Sequence, residues 1–206
     1  VCSSDLVDFP GLGVDFAAFS GHKMLAPTGI GALYGRAELL DALPPFLTGG
    51  SMITRVGLED AEYMPAPIKF EAGTQRVSQT VAFAAAVRYL EHVGMANVQA
   101  WEHELGQRLA AGVQQIEGVR LLGPADPARR AGLVSLAIDG VHPHDVGQLL
   151  DTWGIAVRVG HHCAQPLHKL SGVTASTRAS AYLYNTTDDI EAFLAALAKV
   201  RPYFGL

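Results

Sequence analysis

Three residues carry side chains whose type and setting could do chemistry: Lys23, Cys163 and Arg178. Lys23 lies in "FSGHKMLAPTGIG", with Ser20 and Thr28 as hydrogen-bonding neighbours. Gly21, Gly29 and Gly31 would let backbone approach a ligand closely. A lysine desolvated in such a setting can act as an imine-forming amine, which is the chemistry that pyridoxal phosphate needs. The same residue also reads as an ordinary exposed lysine, since lysines are rarely buried. Cys163 lies in "RVGHHCAQP", beside two histidines and near Arg158. A basic group next to a thiol favours a reactive thiolate on an accessible loop. The alternatives are a metal cluster, for which three adjacent positions converge poorly on one ion, and a buried, inert cysteine. Arg178 stands on an apolar stretch, "STRASAYLYNT". Burying it requires a partner, either a protein carboxylate or the carboxylate of a ligand held in bidentate geometry.

The elements that must position these residues can be read from periodicity and punctuation. "VDFAAFSG" reads as a buried strand that delivers Lys23 just past its end, and "IGALYG" as a second strand on the far side of the lysine loop. "RAELLDAL" is a short helix stopped by Pro44 and Pro45. Residues 44–76 are rich in Gly, Pro and Thr and read as one long functional or partner-contacting loop. Residues 78–93 are apolar on nearly all sides, as in a buried helix. The next helix repeats Val98, Trp101, Leu105, Leu109, Val113 and Ile116 along one face. After Gly118 the pattern alternates: strands at "VRLLG", "LVSLAID" and "IAVRVG", and a helix from Pro143 closed by Gly154. A short helix opens in "HHCAQPLHKL", a strand runs through "TRASAYLY", and a final helix has acidic residues in its first turn. The class is α/β or α+β, divided near Glu117.

Composition narrows the function. The chain has 206 residues, 49% of them hydrophobic, and a formal charge of −5. It lacks a basic run with interleaved aromatics, which argues against nucleic acid as a partner. No uninterrupted run of about 18 apolar residues suggests a membrane span, and no secretory signal opens the chain. Its two cysteines, Cys2 and Cys163, make a poor disulfide framework, so the reading is cytoplasmic.

Taken in order, "FSGHKMLAPTGIGALYG", "GGSMI", "FEAGTQ", "RVGHHCAQPL" and "TRASAYLYNT" resemble the Suf-type (group II) cysteine desulfurases of the class V aminotransferase family, from about Val7 to the end. The resemblance implies a fold-type I pyridoxal-phosphate enzyme. Residues 1–117 would be the C-terminal part of a large domain built on a mostly parallel sheet, and residues 118–206 a small α/β domain carrying the cysteine loop. It further implies that Lys23 bonds the cofactor, that Ser20 and His22 contact its phosphate, and that Thr74 reaches the phosphate of a neighbouring subunit's cofactor in a homodimer with shared active sites. Arg178 would grip the substrate carboxylate and Cys163 would be the nucleophile, with no metal involved. The reaction would turn L-cysteine into L-alanine and leave a persulfide on Cys163, to be passed to a sulfur-acceptor protein for iron–sulfur cluster assembly.

The sequence also departs from the family pattern. The family's aspartate partner of the pyridine nitrogen, ring-stacking histidine and glutamine lie upstream of the lysine motif, and Asp8 and Asp15 do not stand in the expected motif. The chain therefore reads as roughly the C-terminal half of an enzyme, inactive by itself, with residues 1–6 foreign to the family. Competing readings are a selenocysteine lyase using the same three residues, a kynureninase-like hydrolase, against which "GHHCA" argues, and a non-catalytic fragment that docks a sulfur acceptor.

Overall fold

The computed structural model describes residues 7–206, so the expectation for residues 1–6, including Cys2, lies outside the described residues. Contacts divide the chain into two units, one ending at Gly94 and the other running from Met95 to Leu206.

In the first unit a short helix α1 (Phe9–Leu12) precedes strand β1 (Phe16–Ser20), which pairs antiparallel with β2 (Gly31–Gly35), from Phe16 opposite Gly35 to Ser20 opposite Gly31. The ten-residue-scale connection between them holds the lysine motif as a 3-10 turn, Gly21–Met24. Helix α2 (Ala37–Ala42) follows. The stretch 44–76, read as one irregular loop, contains an antiparallel hairpin of β3 (Ile53–Val56) and β4 (Ala61–Tyr63), closed by the Gly57 N–H donating to Asp60 O at 2.8 Å. These strands are short and mostly exposed, so they carry no alternating apolar signal. Helix α3 (Val77–Val93) buries only Ala86 and Leu90, while Val77, Val81 and Tyr89 are 64%, 62% and 52% exposed. The buried helix expected over residues 78–93 is therefore largely uncovered among the described residues.

The second unit is a four-stranded sheet with its apolar core on one face. Helix α4 (Met95–Gln114) is followed by β5 (Val119–Leu122), β6 (Leu133–Ile138), α5 (Pro143–Thr152), β7 (Arg158–Gly160), α6 (Gln165–Leu170), β8 (Ser176–Ser180), α7 (Thr187–Leu197) and α8 (Val200–Tyr203). The four strands run in the order β5-β6-β8-β7. Alternation along β6 buries Val134, Leu136 and Ile138, which meet Leu105, Leu109 and Val113 of α4, Leu150 of α5 and Phe193 and Leu197 of α7 in a single core. Helix α4 therefore belongs to this unit, and the division falls after Gly94 instead of near Glu117. The apolar face foreseen for α4 is buried: Val98, Leu105, Leu109 and Val113 are at most 2% accessible.

Every strand pairing among the described residues is antiparallel, so the mostly parallel sheet implied for a large domain is not found in them. The connections β1–β2 and β3–β4 are too short to hold the crossover that parallel neighbours require. The α/β class itself holds.

Candidate active site

Lys23 is exposed, on the turn that leaves β1. The turn is fixed by backbone: the Gly21 N–H donates to Ile30 O at 2.9 Å and the Ala26 N–H to Gly21 O at 3.1 Å, and Leu25 adopts φ 65° to end it. Two of the three glycines serve the chain itself and not a ligand. A Cβ on Gly21 would sit 3.0 Å from Ile30 Cγ2 and 3.2 Å from Ala26 Cβ, and one on Gly31 would lie 2.5 Å from Phe19 O. The side chains of Ser20, His22, Lys23 and Thr74 make no hydrogen bond or ion pair within the described residues, leaving two hydroxyls, an imidazole and an amine uncommitted. Arg76 adds a cation: a Cβ on Gly29 would lie 3.4 Å from its Nη1. Lys69, by contrast, is buried and spends its Nζ on Asp41 O at 2.8 Å. Thr74 is exposed just before α3.

Cys163 and Arg178 lie in the second unit, on the sheet face opposite the helix-covered core. Leu122 of β5, Ser135 of β6, Arg178 of β8 and Arg158 of β7 stand in one row across the four strands, each directly opposite the next. Directly opposed residues project to the same face, so Arg158 and Arg178 present two guanidinium groups side by side. Neither is in an ion pair among the described residues, and the buried Nε of Arg178 has no hydrogen-bond partner. No protein carboxylate within the described residues meets Arg178.

Cys163 follows β7. It is exposed, which excludes the inert buried cysteine, and its Sγ lies 3.6 Å from Arg158 Nη2. His162 and Cys163 have φ of 52° and 62°, a left-handed pair of non-glycine residues of the kind that costs of order 1 kcal/mol each and persists only where the surroundings enforce it. Instead of converging on a metal with Cys163, His162 turns its Nε2 to Ser176 Oγ at 3.0 Å. Burial, followed by the positive charge of Arg178, holds the His162 imidazole below the usual histidine range. Sequence reasoning missed Ser176 and His168, which support this loop. Ser176 stands two residues before Arg178 on the same strand, so period-2 alternation already places both on one face.

The described helices include none long and apolar enough to cross a membrane. The family model for aminotransferase class-V matches residues 2–193. A curated relative, probable cysteine desulfurase 2 of Mycobacterium leprae, is 54% identical over 199 residues, 97% of this chain and 48% of the relative. The apo structure of a cysteine desulfurase from Thermococcus onnurineus superposes with a TM-score of 0.89 at 40% identity, covering 96% of this chain and 49% of that one. A structure of C-DES with glycine covalently linked to the PLP cofactor superposes with a TM-score of 0.78 at 26% identity, covering 95% and 49%. The chain spans about half the length of the curated relatives it matches. With the lysine turn and the cysteine loop both inside the matched residues, the chain belongs to the aminotransferase class-V family.

Proposed function

We propose that this chain carries the cofactor-anchoring lysine and the sulfur-accepting cysteine of a pyridoxal-phosphate-dependent cysteine desulfurase of the Suf type. The observation that carries this reading is an exposed thiol, its Sγ 3.6 Å from Arg158 Nη2, beside a strand-opposed Arg178 that meets no carboxylate within the described residues. A carboxylate ligand and a transferable sulfur are what such a pair suits.

Pyridoxal phosphate fits the uncommitted donors of the first unit, and when bound it supplies an electron sink for the substrate's α-carbon. Lys23 Nζ would hold the cofactor and afterwards carry a proton, Ser20 Oγ and His22 would bind its phosphate, and the nearby Arg76 adds positive charge. Thr74, exposed and without a side-chain hydrogen bond among the described residues, suits a reach to a neighbouring subunit in a homodimer. In the second unit Arg178 would fix the L-cysteine carboxylate. Cys163 Sγ would attack the substrate sulfur, forming an S–S bond as the C–S bond breaks. The electron pair left on the β-carbon takes a proton, giving L-alanine and a Cys163 persulfide. A sulfur-acceptor protein of iron–sulfur cluster assembly would then take the terminal sulfur.

The chain by itself would not turn over L-cysteine, because neither Asp8 nor Asp15 stands in the motif that the resemblance assigns to the partner of the pyridine nitrogen. Anchoring is tested separately: borohydride treatment after incubation with pyridoxal phosphate should leave a covalent label on the Lys23 peptide that Lys23→Ala abolishes. Labelling of other lysines alone would refute the assignment.

A further inference from the structure

The two hydrogen bonds that reach the cysteine loop from opposite sides meet at one hydroxyl. Before Cys163, His162 Nε2 lies 3.0 Å from Ser176 Oγ. After Cys163, the Ala164 carbonyl accepts from His168 Nδ1 at 2.9 Å, and His168 Nε2 in turn lies 2.9 Å from the same Ser176 Oγ. Ser176 is 0% and His168 7% accessible, so both anchors are buried while the cysteine they flank is exposed.

Proton placement along this chain follows from its one end that has no freedom. A carbonyl oxygen only accepts, so His168 Nδ1 carries a proton. For a neutral His168, Nε2 is then the acceptor, and Ser176 must donate its hydroxyl hydrogen to it. Ser176 Oγ is left to accept, so His162 Nε2 carries the proton and donates. His162 Nδ1 is then bare, and it is also buried without any hydrogen-bond partner in the described residues. Burial, then the positive charge of Arg178, disfavour a second proton on that ring and outweigh the Ser176 main-chain contact that favours one. An unprotonated nitrogen with nothing to accept from, one residue from the thiol, is the kind of orphan that a proton-bearing ligand group would satisfy.

We propose that Ser176 and His168 are positioning residues: a His168–Ser176–His162 relay clamps the backbone on both sides of Cys163 in its left-handed conformation and fixes His162 as the Nε2–H tautomer, with Nδ1 free to accept a hydrogen bond. The inference rests on the desulfurase reading only in making Cys163 the group whose placement matters. The relay itself is read without cofactor or substrate, so its failure is distinguishable from failure of that reading.

Two measurements on the 206-residue protein test it. Long-range 1H–15N correlation spectra should show His168 protonated on Nδ1 and His162 on Nε2. Iodoacetamide labelling near neutral pH, read on the Cys163 peptide so that Cys2 does not contribute, should slow about fivefold in Ser176→Ala, the worth of one ordinary hydrogen bond in the population of the clamped loop. Ser176→Thr, which keeps the hydroxyl, should restore both readouts. A proton on His162 Nδ1, or a Ser176→Ala protein labelled at the wild-type rate, overturns the proposal. If Ser176→Ala fails to fold, the wild-type spectrum alone decides, because packing without the relay gives no reason for a single His162 tautomer.

Discussion

Replacing Arg178 by methionine should stabilise the second unit. Arg178 and Arg158 face each other across β7 and β8 with no acidic partner in the described residues. Like charges directly opposite on a sheet cost roughly 0.2–1 kcal/mol. The buried Arg178 Nε, lacking an acceptor, adds about 1 kcal/mol, the lower end of the usual range because the side chain is only half-buried. Methionine keeps the length of the stem and adapts to irregular surroundings. Removing both penalties gives a gain of about 1–2 kcal/mol. Urea denaturation followed by tryptophan fluorescence is a selective assay, since both tryptophans, Trp101 and Trp153, lie in the second unit. Added salt should narrow the gap between variant and wild type, because it screens the opposed charges. Loss of stability of about 1 kcal/mol or more in Arg178→Met would refute the reasoning, showing that the chain already supplies a counter-charge and that Arg178 does not await a ligand.

The same assay extends to the rest of the unit. Leu105→Ala empties a position with 0% accessibility at the centre of the core and should cost about 3 kcal/mol, whereas a loss below about 1 kcal/mol would mean that α4 is not packed as described. Thr186→Ala removes the hydroxyl that accepts from the Asp189 N–H in the α7 capping box and should cost about 1 kcal/mol. The Thr186 N–H, donating to the Asp189 carboxylate, also depresses the acid's pKa, so this contribution is present above about pH 4 and fades as acid protonates the carboxylate. His162 has the same sign for a different reason. Its folded pKa is depressed, so the unfolded chain binds the proton more readily, and stability should fall as pH drops below about 6.5. His162→Gln should flatten that limb of the stability profile, and an unchanged slope would contradict the burial assigned to this ring.

Local signals made the chemical residues legible. Lys23, Cys163 and Arg178 each stand in a short run whose composition is unusual, and the strands and helices around them have clear periodicity. Relations through space were less legible. The apolar stripe of α4 announces a buried face but does not say which unit covers it, and its partners on β6 and α7 come later in the chain. The glycines of the lysine turn look like room for a ligand, yet Gly21 and Gly31 are needed for the close approach of Ile30 and Phe19. Ser176 and His168 have no motif of their own: a serine on a strand and a histidine on a short helix acquire meaning only when α6 folds back over β8. The hairpin of β3 and β4 escaped because strands of four and three residues with exposed side chains leave no alternation to read.

In the proposed function sulfur leaves L-cysteine for Cys163. Its most direct test is a chimera in which this chain replaces the matching half of the Mycobacterium leprae relative, which is 54% identical to it over 199 residues. After loading with pyridoxal phosphate and mixing with L-cysteine, mass spectrometry of the alkylated Cys163 peptide should show one added sulfur, with L-alanine formed in equal amount and both lost in Cys163→Ser. Alanine formed while Cys163 stays unmodified, or a cofactor-loaded chimera that releases none, would contradict the account.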